Sequence, residues 1–244
     1  PQEGIATVAA RIAKLISRRA ENGQKTVLSL ASGRSMRDLF VELVRLHKEE
    51  GLSFKNVVIF TTYEYYPLTD LSTGSGAQIR SLFLDQVDIL AENIHAIPGD
   101  LEKENILTFC ADYEKLIAQE GGIDIQVLGI GQSGNIAMNE PGTQANSSTR
   151  LVILDNNSRN DAKSLFGNAT QVPASAITLG IDTILQAKEV ILLAFGQHKA
   201  GIVKQAIETA ASTACPASLL QLHKKASVVL DLDAANKLTR INHP

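Results

Sequence analysis

The feature that most limits how this chain can fold is an alternation. Short apolar, β-branched runs (TVLSLA at 26–31, NVVIF at 56–60, IDIQVLGI at 123–130, RLVILD at 150–155, AITLG at 176–180, VILLAFG at 190–196 and SVVLDL at 227–232) are separated by longer amphipathic segments. Unbroken apolar runs of this length mark strands covered on both faces, and such strands belong to parallel sheets. Helical periodicity fills most of the gaps, notably the first twenty residues, 36–49, 102–119 and 197–209. In the first, Ile5, Val8, Ile12, Leu15 and Ile16 share one helical face. With 244 residues, 44% of them hydrophobic, the chain can bury a substantial core. The expected fold class is α/β: a single domain over 1–244 with a mostly parallel, Rossmann-like sheet flanked by helices. Right-handed crossovers then place a ligand crevice beyond the C-terminal ends of the strands.

Charge narrows the partners. Lys and Arg total 23 against 26 Asp and Glu, a net charge of −3, and no basic run tracks a phosphodiester backbone, so no nucleic acid partner is expected. No stretch reaches the roughly 18 uncharged apolar residues of a membrane span, so no membrane association is expected. Arg11 and Lys14 interrupt the N-terminal helix, unlike the core of a signal sequence, and a soluble, cytoplasmic protein is the expectation. Cys110 and Cys215 lack metal-ligand spacing and read as small buried thiols of a reducing compartment. His95, His198 and His223 are likewise scattered, so no metal is expected.

The stretch GIGQSG at 129–134 follows a strand-like run and matches G-x-G-x-x-G, with Asp155 roughly 20 residues on where a ribose-binding acid would belong. A dinucleotide fingerprint also needs a long helix at that point to receive the pyrophosphate. Here Pro141-Gly142 follows Gly134 after only six residues and disfavours helix at Glu140. The glycines therefore shape an irregular loop that holds Asn135, Asn139 and Glu140 over the sheet edge, and no cofactor is expected.

The same loop carries a different likeness. LGIGQSGNIAMNEPG at 128–142, followed by SSTR at 147–150, resembles the glucosamine-6-phosphate deaminase/isomerase family, whose loop runs GxGxDGHIAFNEP and then SRTR. VLSLASGRS at 27–35 is similar to the family's strand and phosphate loop, FTTYEYYPL at 60–68 to FNMDEYxxL, and LDQVDILAENIH at 84–95 to FDHVDIxxENI. VPASAITLGIDTILQAKEVILLAFGQHKA at 172–200 and ASLLQLHKKASVV at 217–229 continue it, so the resemblance covers nearly the whole chain in order. The 6-phosphogluconolactonases are the sister family with the same fold.

The resemblance implies a reaction: a hexose 6-phosphate ring opens, a proton moves between C1 and C2, and ammonia leaves to give fructose 6-phosphate. That chemistry calls for a carboxylate base and an imidazole with a pKa near 7. The family's aspartate base falls here on Tyr63, the aspartate of its DGH triplet on Ser133 and its histidine on Asn135, while the NEP glutamate is kept as Glu140. A phenol with a pKa of about 10 is a poor base at pH 7, and an amide does not exchange a proton usefully. Glu64 is the nearest substitute; on a continuous strand it points away from Tyr63, so its use requires a bulge or a loop.

The anion-binding part is better kept. Ser32, Gly33, Arg34 and Ser35 lie between a strand and a helix, where N–H groups and hydroxyls cradle a phosphate, and Ser35 to Asp38 has capping-box-like spacing. Lys199 aligns with the family's phosphate-binding lysine. The family's phosphate-binding arginine falls on Ser164, with Lys163 beside it. STGSG at 72–76 reads as a flexible loop. Two readings follow for a small-molecule hexose phosphate partner: a deaminase or isomerase with altered catalytic groups, or a sugar-phosphate sensor that has lost the chemistry. A lactonase-type hydrolase is the sister-family alternative, and the resemblance leaves room for a homo-oligomer. On either reading Asn135 and Glu140 are expected to face the same crevice as Tyr63 and the 32–35 loop.

Overall fold

A computed structural model describes residues 1–168 and 170–239. Helix α1 (Gln2–Glu21) turns Ile5, Val8, Ala9, Ile12 and Ile16 inward, as their spacing requires. It is followed by β1 (Thr26–Leu30), α2 (Arg34–Glu50), β2 (Val57–Thr61) and β3 (Tyr63–Tyr66). Next come α3 (Ser75–Leu82), β4 (Ile94–His95), α4 (Ile106–Gln119), β5 (Ile125–Gly129), β6 (Arg150–Ile153) and α5 (Asn156–Phe166). The described chain continues through β7 (Ser175–Thr178), α6 (Ile181–Leu185), β8 (Val190–Ala194), α7 (Ala200–Glu208), β9 (Ala226–Leu230) and α8 (Leu232–Ala235).

Six strands form a parallel sheet in the order β4-β2-β1-β5-β8-β9. Alternate residues of its strands feed two separate cores. Leu28, Leu30, Ile59, Val127, Ile191 and Leu193 pack against α1, α2 and α3. Val27, Val58, Phe60, Leu128 and Leu192 face the other way, toward α4, α6 and α7. Burial on both faces explains why these strands read as continuous apolar runs. The chain winds one way from β1 to β2 and the other way from β5 to β9, so the strand order reverses between β1 and β5. In an open α/β sheet that reversal opens a crevice at the strand C-termini.

The runs at 150–155 and 176–180 do not join this sheet. They form β6 and β7 of a second, antiparallel sheet with the order β3-β7-β6. For β6 the reason shows in its burial: Leu151 and Ile153 are exposed, Ile153 at 81%, so β6 is a solvated edge strand, whereas β7 is the buried middle strand of the second sheet. The chain that continues from the NVVIF run at 56–60 is likewise divided. It breaks at Thr62, where β2 ends in the parallel sheet and β3 begins in the other.

Phe60 is fully buried, with its ring edge-on to Tyr113 at 5.4 Å and tilted over His95 at 4.8 Å. Phe60→Ala is expected to lower the free energy of unfolding by about 3–5 kcal/mol, read by chemical denaturation at constant m-value.

Candidate functional site

At the reversal point the 32–35 segment, Tyr63, the start of the 129–142 loop, α5 and the segment after β8 enclose a crevice of about 710 Å³. Helix α2 opens onto it. The helix begins at Arg34 with Gly33 at its N-cap position (φ 130°, ψ 173°), and no side chain caps it. Ser35 is therefore not the cap its spacing suggested; it sits in the first turn. A helix start without a side-chain cap presents its N–H groups and the positive end of its dipole to a ligand. Ser32, Gly33, Arg34 and Ser35 all line the crevice.

Tyr63 and Glu64, adjacent on β3, part company as strand geometry requires. The Tyr63 hydroxyl shares a 2.9 Å hydrogen bond with the Ser32 hydroxyl and lies 3.3 Å from the Ser32 carbonyl oxygen. Burial pushes the Tyr63 phenol up to about 12, against a smaller lowering by its hydrogen bond to Ser32. It is neutral at physiological pH. Glu64 is buried on the far side and does not line the crevice. Its carboxylate accepts from the amides of Tyr65 and Ser75, each at 2.8 Å, and of Gly76 at 2.7 Å. It thus fixes the start of α3, which corrects both its assignment as a substitute base and the reading of 72–76 as a free loop. A Cβ on Gly74 would lie 2.7 Å from both carboxylate oxygens, so the approach depends on glycine there.

Residues 130–142 form an irregular loop with no helix, as the Pro141 argument required. The amide of Gly131 donates to the Asn135 carbonyl at 2.9 Å, and the buried Asn139 side chain donates to the Leu179 carbonyl at 2.9 Å, tying the loop to the end of β7. The Asn135 carboxamide folds back over Gly131, where any Cβ would collide with it. Asn135 lines the crevice; its Oδ1 accepts from the Ser133 hydroxyl at 3.0 Å and its Nδ2 donates to the Ser158 hydroxyl at 3.3 Å. Ser133 and Glu140 stand behind it. Glu140 contacts the Ser133 hydroxyl at 3.5 Å and the Asp155 amide at 3.4 Å, but does not line the crevice itself. Burial raises its carboxyl above the ordinary value, with a hydrogen bond from Ser158 opposing. The expectation that Glu140 faces the crevice is corrected: Asn135 and Ser158 come between.

Helix α5 is capped by Asp155, whose Oδ1 accepts from the Ser158 amide at 2.7 Å. That start sets the helical phase. Ser158, Asp161, Ala162 and Leu165 line the crevice, as does Ser164, while Lys163 is exposed and lies off it. Lys163 thus does not supply the cation expected beside Ser164. Lys199 and His198, after β8, do line the crevice. Burial holds the Lys199 ammonium below the ordinary lysine value, with Asp161 raising it and Arg34 lowering it. Sequence reading missed Asp161 and Ser158, although their i, i+3 spacing after an Asp cap was a usable signal.

A family model described as glucosamine-6-phosphate isomerases/6-phosphogluconolactonase matches residues 1–230. The chain belongs to this family. It is 47% identical over 244 residues to a putative glucosamine-6-phosphate deaminase-like protein of Bacteroides thetaiotaomicron, covering 100% of this chain and 37% of that protein's length. It is 40% identical over 238 residues to a glucosamine-6-phosphate deaminase of Shewanella loihica, covering 96% of this chain and 87% of the relative. Among solved structures, a monomeric glucosamine-6-phosphate deaminase superposes with a TM-score of 0.91 at 34% identity, over 98% of this chain and 97% of that one. The 6-phosphogluconolactonase of Trypanosoma brucei shares the fold, with a TM-score of 0.76 at 21% identity over 98% of this chain and 96% of that one. No helix of the described residues is long and apolar enough to cross a membrane.

Within this isomerase/lactonase family fold, Glu64 serves α3. Glu64→Gln replaces an oxygen with an NH2 group that cannot accept, leaving one of three buried amides unpaired. A loss of about 1–3 kcal/mol in unfolding free energy is expected, measured by denaturant titration. Unchanged stability would mean that the carboxyl does not hold the helix start.

Proposed function

We propose that the crevice binds a hexose phosphate and that the chain, as written, has little glucosamine-6-phosphate deaminase activity. The reading treats 1–244 as one deaminase/isomerase-like domain, in keeping with a crevice assembled from segments as far apart as Ser32 and Lys199. One observation carries it: the position of the family's base holds a phenol pushed up to about 12 and hydrogen-bonded to Ser32. Beside it, the position of the imidazole holds an amide. Neither group takes up a proton near pH 7.

The anion end supports the binding half of the proposal. The uncapped α2 start, Arg34 and Lys199 surround one end of the crevice and suit a phosphate monoester. Tyr63, Asn135 and Ser158 then face the sugar as neutral hydrogen-bonding groups. Glu140 retains an acid, but its path to a bound sugar runs through Ser158 or the Asn135 amide. Each positioned acid or base is worth about 10²–10⁴ in rate, so the loss of two leaves a trace of the family reaction. The role favoured is that of a sugar-phosphate sensor.

Ammonia release from glucosamine 6-phosphate tests the chemistry. The parent is expected to be slow, and Tyr63→Asp, Ser133→Asp and Asn135→His together to raise the rate by more than about tenfold, with single reversions doing much less. A parent within about tenfold of the triple variant would overturn the reading. Titration calorimetry tests binding: Lys199→Ala should weaken hexose phosphate affinity by more than about 1 kcal/mol. A base whose pKa is lowered loses its charge at a lower pH than a free lysine. Affinity is therefore expected to be full below the lowered Lys199 pKa and to fall as pH rises through it, below the ordinary 10.5. In Lys199→Ala that fall should vanish.

A further inference from the structure

The crevice face of α5 carries an acid at the end where a phosphate would sit. Helical phase holds Asp161 there beside Ser158, Ala162 and Leu165. Asp161 is also restrained from outside its helix, because the Gln132 side-chain amide donates to its Oδ1 at 2.8 Å. Arg34, His198 and Lys199 stand around the same end, with Asp231 beyond them. The Asp161 carboxylate attracts both Lys199 and His198, whereas Arg34 repels both. Among the described residues the Lys199 ammonium makes no hydrogen bond or ion pair, so it is available to an incoming anion while still within the field of Asp161.

We propose that Asp161 is a built-in competitor for the ligand's anion: a fixed carboxylate, set by α5 and Gln132, that lowers the affinity of the crevice for phosphate. The inference rests on the reading of this crevice as a phosphate site. Arg34, Arg37 and Lys199 line the crevice together with Asp38, Asp161 and Asp231, and of these acids Asp161 is the one that acts on the Lys199 ammonium, so it offsets the charge Lys199 offers to an anion. Repulsion between like unit charges several ångströms apart at a partly exposed site changes binding by roughly an order of magnitude, and the effect grows with ligand charge. Asp161 thereby sets how weakly the protein binds and how fast it releases a phosphorylated ligand. A sensor that follows a changing ligand level needs such release.

Asp161→Asn is the isosteric test, since its amide oxygen still accepts from Gln132. Calorimetry with inorganic phosphate at low salt is expected to show roughly tenfold tighter binding than in the parent. Unchanged or weaker binding overturns the inference, weaker binding meaning that Asp161 donates to or orders the ligand. Phosphate affinity that drops in Lys199→Ala but does not move in Asp161→Asn would leave the phosphate site standing and remove only the role of Asp161. Phosphate that binds neither parent nor variant removes both. A second readout needs no ligand: the pH profile of Lys199 acylation, followed by mass spectrometry, should shift to lower pH in Asp161→Asn. A profile that stays in place overturns the inference.

Discussion

Thr62 is the joint on which the crevice depends. It is fully buried, and its backbone is bonded to both sheets: its amide donates to the Leu30 carbonyl at 3.0 Å and its carbonyl accepts from Leu179 at 2.9 Å. Its hydroxyl is held beneath, by Ser29 at 3.1 Å and by the Gln126 amide at 3.0 Å. A buried polar group that is fully paired fixes geometry more firmly than apolar packing does. Here the pairing makes the chain leave the parallel sheet after Thr61 and enter the antiparallel one at Tyr63. Tyr63 therefore overhangs the end of β1, within reach of Ser32, and the second sheet walls the crevice.

The same turn decides what each side chain of β3 can do. Successive residues point to opposite sides, so one position receives the crevice and the next receives the α3 helix start. Glu64 holds the three amides because a buried helix start must find acceptors, and a carboxylate satisfies several at once. This use excludes it from proton transfer: its acceptor sites are turned to backbone groups and away from the crevice. An acid in the next position along the chain is thus no substitute for one at position 63.

The sequence showed the parallel core well, because strands covered on both faces are uniformly apolar and need no alternation to be recognised. It did not separate β6 and β7 from that core. RLVILD looks as apolar as a buried strand, yet Leu151 and Ile153 face solvent, and hydrophobicity alone does not say which sheet a run enters. Local signals misled in two places for related reasons. Ser35 has the chemistry of a cap, but Gly33 already occupies the N-cap position, in a conformation open to glycine. STGSG has the composition of a loop, but the buried Glu64 carboxylate of the preceding strand turns its end into a helix start. The error at Lys163 is one of phase. Only the Asp155 cap, known once α5 is placed, shows that Asp161 and Ser164 face inward and Lys163 outward.

Burial biases the titratable groups in and around the crevice toward their neutral forms. Desolvation raises an acid and lowers a base, favouring the neutral form of each. At Glu140 this yields a carboxyl poised above its ordinary value, the direction useful to an acid that must hold a proton near neutrality. At Tyr63 the same burial acts on a phenol and drives it to about 12, further from any role as a base. At Lys199 burial disfavours the charged ammonium, and the Asp161 carboxylate opposes that shift. A scaffold that shifts proton affinities in this way does catalytic work only where the side chains have protons to exchange. Tyr63 and Asn135 both line this crevice, and neither a phenol pushed up to about 12 nor an amide exchanges a proton readily near neutrality.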